Sequence, residues 1–160
     1  MKKLLQNSGF DELDRAILEE LQVNGRTSNA DLARKIHLSQ PAVHNRIKRL
    51  EKRGIIRQYV ALLDREALGY DLLCMIYVSL ESHAADLWRV FSEAVEALPQ
   101  VLECYRLTGD DDVLLKATLP NAVALDAFLH NEINALPGVC RARAQIVLNE
   151  IKSTTAYALR

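Results

Sequence analysis

Between Arg34 and Arg57 the chain sets eight cations (Arg34, Lys35, Arg46, Lys48, Arg49, Lys52, Arg53 and Arg57) against a single acid, Glu51. Solvated helix faces ordinarily interleave both signs, so an unmixed cationic block points to a polyanion, above all a nucleic acid. Inside the block Gln40, His44 and Asn45 offer a different chemistry. Amides pair with adenine edges and an imidazole donates or accepts at a base edge, whereas Lys and Arg neutralise phosphates without reading sequence. Gln40, His44 and Asn45 are therefore candidate base readers. Lys48, Arg49 and Lys52 are candidate phosphate contacts, and Ser39 and Pro41 open the segment that carries them. Arg46 flanks the apolar stripe and is expected to meet Glu51 or a phosphate.

Three helices must position these groups. Leu13, Ile17, Leu18 and Leu21 recur at helical spacing after Asp11 and stop at Asn24-Gly25, which predicts a helix over residues 11–24. Ser28 and Asp31 form a capping pair for a brief second helix burying Leu32, Ala33 and Ile36. His37-Leu38-Ser39 then makes a tight connection, with Ser39 as N-cap, Pro41 in the first turn and Gly54 as a left-handed stop. Val43, Ile47 and Leu50 line the buried stripe of this third helix. Two short helices joined by a tight turn, the second capped and basic, form a helix-turn-helix, whose partner is double-stranded DNA.

After Gly54 the pattern becomes extended. Ile55 to Leu63 reads as a hinge strand, and Asp64 to Gly69 as a turn or short helical connector. Beyond it Ala97-Leu98-Pro99-Gln100-Val101 is echoed 38 residues later by Ala135-Leu136-Pro137-Gly138-Val139. Each copy follows a strand-like run (Leu72 to Leu80; Val113 to Leu119) and a helical run (Ala85 to Ala97; Ala122 to Ala135), and leads into another strand (Val101 to Leu107; Val139 to Leu148). The helices are expected to bury Leu87, Val90, Phe91, Val95 and Leu98 in one copy, and Leu125, Phe128, Leu129, Ile133 and Leu136 in the other. The order βαββαβ predicts a ferredoxin-like antiparallel sheet with both helices on one face. The fold class is α+β, with residues 1–54 as an all-α helix-turn-helix domain, 55–70 as hinge and 71–160 as the ferredoxin-like domain. Leu72 to Val78 is apolar at both parities, so the second sheet face is expected to be covered by another copy of the chain. Such a homodimer places two recognition helices against a pseudo-palindromic site.

Composition narrows the function class. In the 160-residue chain, residues 1–60 hold 12 Lys+Arg against 7 Asp+Glu and residues 61–160 hold 8 against 14, so a basic part precedes an acidic one. No apolar run reaches a membrane span, and Met1 to Ser8 turns polar too soon for a signal peptide, which predicts a cytoplasmic protein with no membrane partner. Cys74, Cys104 and Cys140 stand far apart within apolar stretches and read as reduced core residues. His37, His44, His83 and His130 are scattered, with no Gly-rich phosphate loop, Gly-x-Ser-x-Gly or His-Glu-x-x-His. No enzyme, cofactor or metal centre is expected.

The sequence resembles the Lrp/AsnC (leucine-responsive, or feast/famine) family of transcriptional regulators from Leu13 to Lys152. The carrying residues are Leu13-Asp14-Arg15-Ala16-Ile17-Leu18, Asn24-Gly25-Arg26, Leu38-Ser39 with Val43, Arg46-Ile47, Arg49-Leu50-Glu51 and Gly54-Ile55-Ile56. Thr108-Gly109-Asp110-Asp111-Asp112-Val113-Leu114-Leu115-Lys116, Leu136-Pro137-Gly138-Val139 and Val147-Leu148-Asn149-Glu150-Ile151-Lys152 complete the match. The resemblance implies a DNA-binding domain and a C-terminal RAM/AsnC effector domain. It further implies homodimers that assemble into tetramers or octamers, with a small effector, usually an amino acid, between dimers. Carried over by position, the effector residues are Tyr105, Leu107, Thr108, Gly109, Asp110, Asp111 and Asp112. A Gly-Asp loop offers N–H groups to a carboxylate and an acceptor to an ammonium. Read alone, the same residues also suit a plain hairpin turn, or three carboxylates around Mg²⁺. Family members often carry aromatics at the positions of Asp111 and Val113 and a Thr-x-Thr pair at those of Ala142 and Ala144. Those departures point to a ligand with a cationic or polar side chain. A nucleoid-like architectural DNA-binding protein without an effector is the alternative.

Overall fold

The structure, a computed structural model, describes residues 9–159; the polar start Met1 to Ser8 lies outside the described residues. The chain divides into two compact units, residues 1–62 with 152–160, and residues 63–151.

The first unit holds α1 (Glu12–Val23), α2 (Asn29–Lys35) and α3 (Gln40–Lys52). Each begins at a side-chain cap, which satisfies an N–H group that the helix itself leaves orphaned. Asp11 accepts from Asp14 N at 2.8 Å while Asp14 accepts from Asp11 N at 3.2 Å, a reciprocal capping box. Ser28 accepts from Asp31 N at 3.1 Å, and Ser39 from Ala42 N at 3.3 Å. The chain leaves α3 at Gly54 with φ +70°, in the left-handed region where a side chain costs most. His37, between α2 and α3, holds φ 56° without being glycine, and Leu38 N donates back to Ala33 O at 3.0 Å. Ile17, Leu18, Leu32, Ala33, Val43, Ile47 and Leu50 form the core.

Two features of this unit depart from the sequence reading. Ile55 to Leu63 is not a strand. Tyr59, Val60, Leu62 and Leu63 are exposed, because a β-branched run becomes a strand only where another strand supplies its ladder. The tail, grouped by the sequence reading with the effector domain, packs with the helices instead. Gln22 Nε2 donates to Tyr157 O at 3.2 Å, Tyr157 N donates to Gln22 Oε1 at 2.6 Å, and Leu159 rests on the helical core.

The second unit is β1 (Leu72–Leu80), α4 (Ala85–Glu96), β2 (Val101–Arg106), β3 (Val113–Leu119), α5 (Ala122–Phe128) and β4 (Val139–Ile146). The strands form one antiparallel sheet in the order β2-β3-β1-β4, the ferredoxin-like arrangement. The helix after β3 does not run regularly to Ala135: after Phe128 it widens into a π-helical turn, Leu129–Ile133. Cys74, Ile76, Val78 and Leu80 of β1 and Val113, Leu115, Ala117 and Leu119 of β3 meet Phe91, Val95, Leu125, Phe128, Ile133 and Leu136 in the core. Val90 is exposed, and Leu87, Leu98 and Leu129 are half-buried. Both Ala-Leu-Pro-x-Val turns lead into a strand, and the fourth residue of each accepts from a strand end: Gln100 O from Thr118 N at 3.0 Å, Gly138 O from Glu81 N at 2.8 Å.

All three cysteines are free, but only Cys74 is buried; Cys104 and Cys140 lie exposed on the edge strands β2 and β4. The sheet face away from the helices is mixed rather than apolar. Register puts Met75 and Tyr77 of β1 beside Gln145 and Arg143 of β4, and beside Lys116 and Leu114 of β3. Within the single chain Met75, Tyr77 and Ser79 are half-buried.

Candidate functional site

The stripe Val43, Ile47 and Leu50 fixes which side of α3 faces the core, and helical geometry then puts the polar residues outside. Gln40, His44, Asn45, Lys48, Arg49 and Lys52 are all exposed, as are Ser39 and Pro41. Ser39 caps the helix and Pro41 occupies its first turn, where a missing N–H does no harm. Asn29 Nδ2 lies 3.3 Å from His44 Nδ1; with the amide donating, the ring proton of neutral His44 resides on Nε2.

Arg46 does not contact Glu51 and is largely, though not wholly, covered. Its Nη1 donates to Asp11 at 2.7 and 2.8 Å and to Asp14 Oδ1 at 2.7 Å. Glu51 instead accepts from Tyr59 OH at 3.1 Å; although much of the Tyr59 ring is exposed, the partial desolvation of its phenol, helped by that carboxylate, pushes it up to about 12. Arg49 Nη2 donates to Asp14 Oδ2 at 2.6 Å while half of its side chain stays exposed. Burial works upward on the Asp11 carboxyl, and the Arg46 hydrogen bond and charge outweigh it, so Asp11 ends below the usual range. Asp14, fully buried, was missed by the sequence reading. Its signal was spacing, since Asp14 precedes Ile17, Leu18 and Leu21 by three, four and seven residues on the same face.

In the second unit the β2–β3 hairpin closes with Leu107 N donating to Asp112 O at 2.8 Å and Asp112 N to Val78 O at 3.0 Å. Gly109 holds φ +130° within it. Among the described residues the N–H groups of Thr108, Gly109, Asp110 and Asp111 take no partner within the chain. Tyr105 is exposed and Leu107 half-buried beside the loop.

The Asp111 and Asp112 carboxylates take different partners. Asp111 is bridged by Arg141 at 3.3 Å and Arg143 at 2.9 Å, and Arg143 also lies 5.3 Å from the Tyr77 ring centroid. Asp112 accepts from Leu80 N at 2.8 Å and pairs with His83 Nε2 at 2.6 Å. The Leu80 N–H first, then His83, holds the Asp112 carboxyl below its usual range. Asp111 is therefore already matched by two guanidinium groups, which removes the ground for expecting a cationic ligand side chain there. Val113 is fully buried, and Ala142 and Ala144 pack on the core rather than on the loop.

Residues 73–157 match the Lrp/AsnC ligand-binding domain, and residues 10–57 match a winged helix-turn-helix DNA-binding domain. The chain belongs to the Lrp/AsnC family. It is 37% identical over 155 residues to the leucine-responsive regulatory protein of Haemophilus influenzae, covering 97% of this chain and 93% of that one. The Escherichia coli K12 protein of the same name is 36% identical over 151 residues, covering 94% and 92%. Among solved structures, a Neisseria meningitidis transcriptional regulator in complex with L-methionine superposes with a TM-score of 0.88 at 38% identity, covering 93% of this chain and 96% of that one. Escherichia coli AsnC superposes at 0.85 with 31% identity, covering 92% and 97%. This Lrp/AsnC chain is thus a DNA-binding transcription regulator with an effector-binding domain. No helix among its described residues is long and apolar enough to cross a membrane.

Proposed function

We propose that this regulator reads DNA with α3 and answers to an amino acid held at the Thr108 to Asp112 loop. Gln40, His44 and Asn45 meet base edges in the major groove, and Lys48, Lys52 and the exposed half of Arg49 meet phosphates, while Ser39 and Pro41 set the start of the helix. The effector's carboxylate is received by the unpaired N–H groups of the loop, with Tyr105 and Leu107 beside it; Asp110 supplies the acceptor for its ammonium, while Asp111 and Asp112, held by Arg141, Arg143, His83 and Leu80 N, fix the loop around it. That run of four free N–H groups carries the reading. The Neisseria meningitidis relative's complex with L-methionine supports the ligand class.

In this partition residues 1–54 read DNA, 55–70 link, and 71–160 bind effector and assemble, with the described tail residues 152–159 packed on the helices. The homodimer forms through the face of Met75, Tyr77, Arg141 and Arg143, and dimers join into tetramers or octamers with the effector between them. Effector binding then changes how paired recognition helices meet a pseudo-palindromic site. Acting on DNA, the protein works in the cytoplasm.

Light scattering and thermal melting of the full chain across the twenty amino acids test this reading, with operator binding followed in the same samples. A ligand that shifts mass, melting temperature or DNA affinity, and loses that effect in Gly109→Val, supports it. An assembly unchanged across the panel, with weak sequence preference, would replace it with an architectural DNA binder.

A further inference from the structure

Asn29 is the first residue of α2 and follows Ser28, whose side chain caps that helix. Leu32 and Ala33, on the next turn, lie in the core that α2 shares with α3, so the backbone carrying Asn29 is fixed relative to the recognition helix. From there the Asn29 side chain reaches α3 and places its Nδ2 3.3 Å from His44 Nδ1. His44 lies on the exposed face of α3, in the N-terminal half that a helix-turn-helix presents to base edges.

This contact has a direction. An amide nitrogen only donates, so Nδ1 of His44 accepts, and the ring is a neutral imidazole whose proton sits on Nε2. Nε2 is then the ring atom left for DNA, and it can only donate. In the major groove guanine alone sets two acceptors side by side, O6 and N7, whereas adenine puts its N6 donor beside N7 and cytosine offers a donor only. Thymine has one acceptor, O4, beside its methyl group. A fixed N–H donor therefore fits guanine best.

We infer that Asn29 is a specificity-determining residue: by holding His44 as a donor it commits α3 to guanine at the base pair that His44 meets. Asn29 is a positioning residue, acting through His44 without touching a base. The inference rests on α3 as the reading helix and resolves what imidazole chemistry alone leaves open, whether His44 donates or accepts at its base edge. Without the Asn29 amide the ring can turn and take either tautomer, and a bare ring nitrogen can then accept from adenine N6 or cytosine N4.

Two measurements on the full chain test it. Long-range nitrogen–proton correlation spectra of histidine-labelled protein, recorded at about pH 8 where a free imidazole is neutral, should show His44 protonated on Nε2 and bare on Nδ1; a proton on Nδ1 would overturn the inference. Selection from a pool of random DNA duplexes, followed by sequencing, then gives the base preferences of the wild type, Asn29→Ala, His44→Ala and the double variant. One guanine position per half-site is expected to lose about tenfold in preference in His44→Ala, the scale of one hydrogen bond, and most of that in Asn29→Ala. The double variant should lose no more than His44→Ala alone, because two residues acting through one contact are not additive. A His44-dependent position that selects a base other than guanine, a guanine preference that survives Asn29→Ala, or losses spread over every position would overturn the inference and leave α3 as the reading helix. No change at any position in His44→Ala would show that His44 reads no base, and the inference would fall with that part of the reading.

Discussion

Arg49 Nη2 lies 2.6 Å from one oxygen of the fully buried Asp14, and Arg46 Nη1 lies 2.7 Å from the other. One carboxylate on α1 thereby holds two guanidinium groups three residues apart on α3 and limits rotation of that helix about its axis. It also divides the cationic block: Arg46 is spent inside the protein, Arg49 is half committed, and Lys48 and Lys52 remain exposed.

Replacing Asp14 by Ala removes the partner of two cations from a dry site, a loss expected to cost about 3 kcal/mol. Urea unfolding should show it as a lower midpoint for the helical unit. Asp11→Ala, which removes a more exposed cap, should cost about 1 kcal/mol. Equal effects of the two would contradict the role given to burial.

On DNA, Lys48→Ala should reduce the slope of log affinity against log salt by about 0.9, the value for one phosphate contact. Arg49→Ala should reduce it by less, because Asp14 already matches part of that charge. Asn45→Ala should leave the slope alone and relax preference at one base pair by about 1–3 kcal/mol. Fluorescence anisotropy at several salt concentrations, on operator and on scrambled duplex, separates the three.

Asp112 links loop conformation to pH. Its carboxyl is held below the ordinary value of 3.8, chiefly by the Leu80 N–H and then by His83, so the folded chain binds this proton less readily than the unfolded chain does. The stabilisation is full above the ordinary value and is lost as pH falls through the lowered one. The stability gap between wild type and Asp112→Asn should therefore shrink below about pH 4. Denaturant unfolding at a series of pH values checks the sign, which a gap widening toward acid would reverse.

Gly138→Ala should destabilise the effector unit by about 1–3 kcal/mol. Gly138 holds φ +72°, and an added Cβ would lie 2.6 Å from Leu87 Cδ2 and 2.7 Å from Leu87 Cδ1. Gly109→Ala meets nothing within 4 Å and bears backbone strain alone, so its melting temperature should fall less.

Deleting residues 152–160 should loosen the helical unit. The tail gives up the two-way amide pairing of Gln22 with Tyr157 and the burial of Leu159, together about 2 kcal/mol. Faster hydrogen exchange along α1 would register it; unchanged exchange would mean the tail contributes no stability there.

Local chemistry explains what could be read in advance. Ser28, Ser39 and Gly54 mark helix ends through bonds or φ values set within a few residues, and the paired Ala-Leu-Pro-x-Val turns expose the βαββαβ order through repetition. The amphipathic stripe of α3 likewise dictates which residues stay outside. Reading Cys104 and Cys140 as core, as Cys74 is, failed because an apolar neighbourhood in sequence does not say whether a strand lies at the centre or edge of a sheet. Reading Ile55 to Leu63 as a strand failed for a related reason, since strands depend on partners that a single segment cannot name.

The sequence by itself determined the helices of the reading unit, the strand order along the chain, the exposed face of α3 and the family, because periodicity, caps and motifs are short-range or repeated signals. Only the tertiary structure decided that Asp14 clasps Arg46 and Arg49, that Arg141 and Arg143 neutralise Asp111 and that the tail returns to Gln22. Those relationships join residues from about 30 to more than 130 positions apart. Their partners are selected by packing and desolvation, which arise only once the elements have come together.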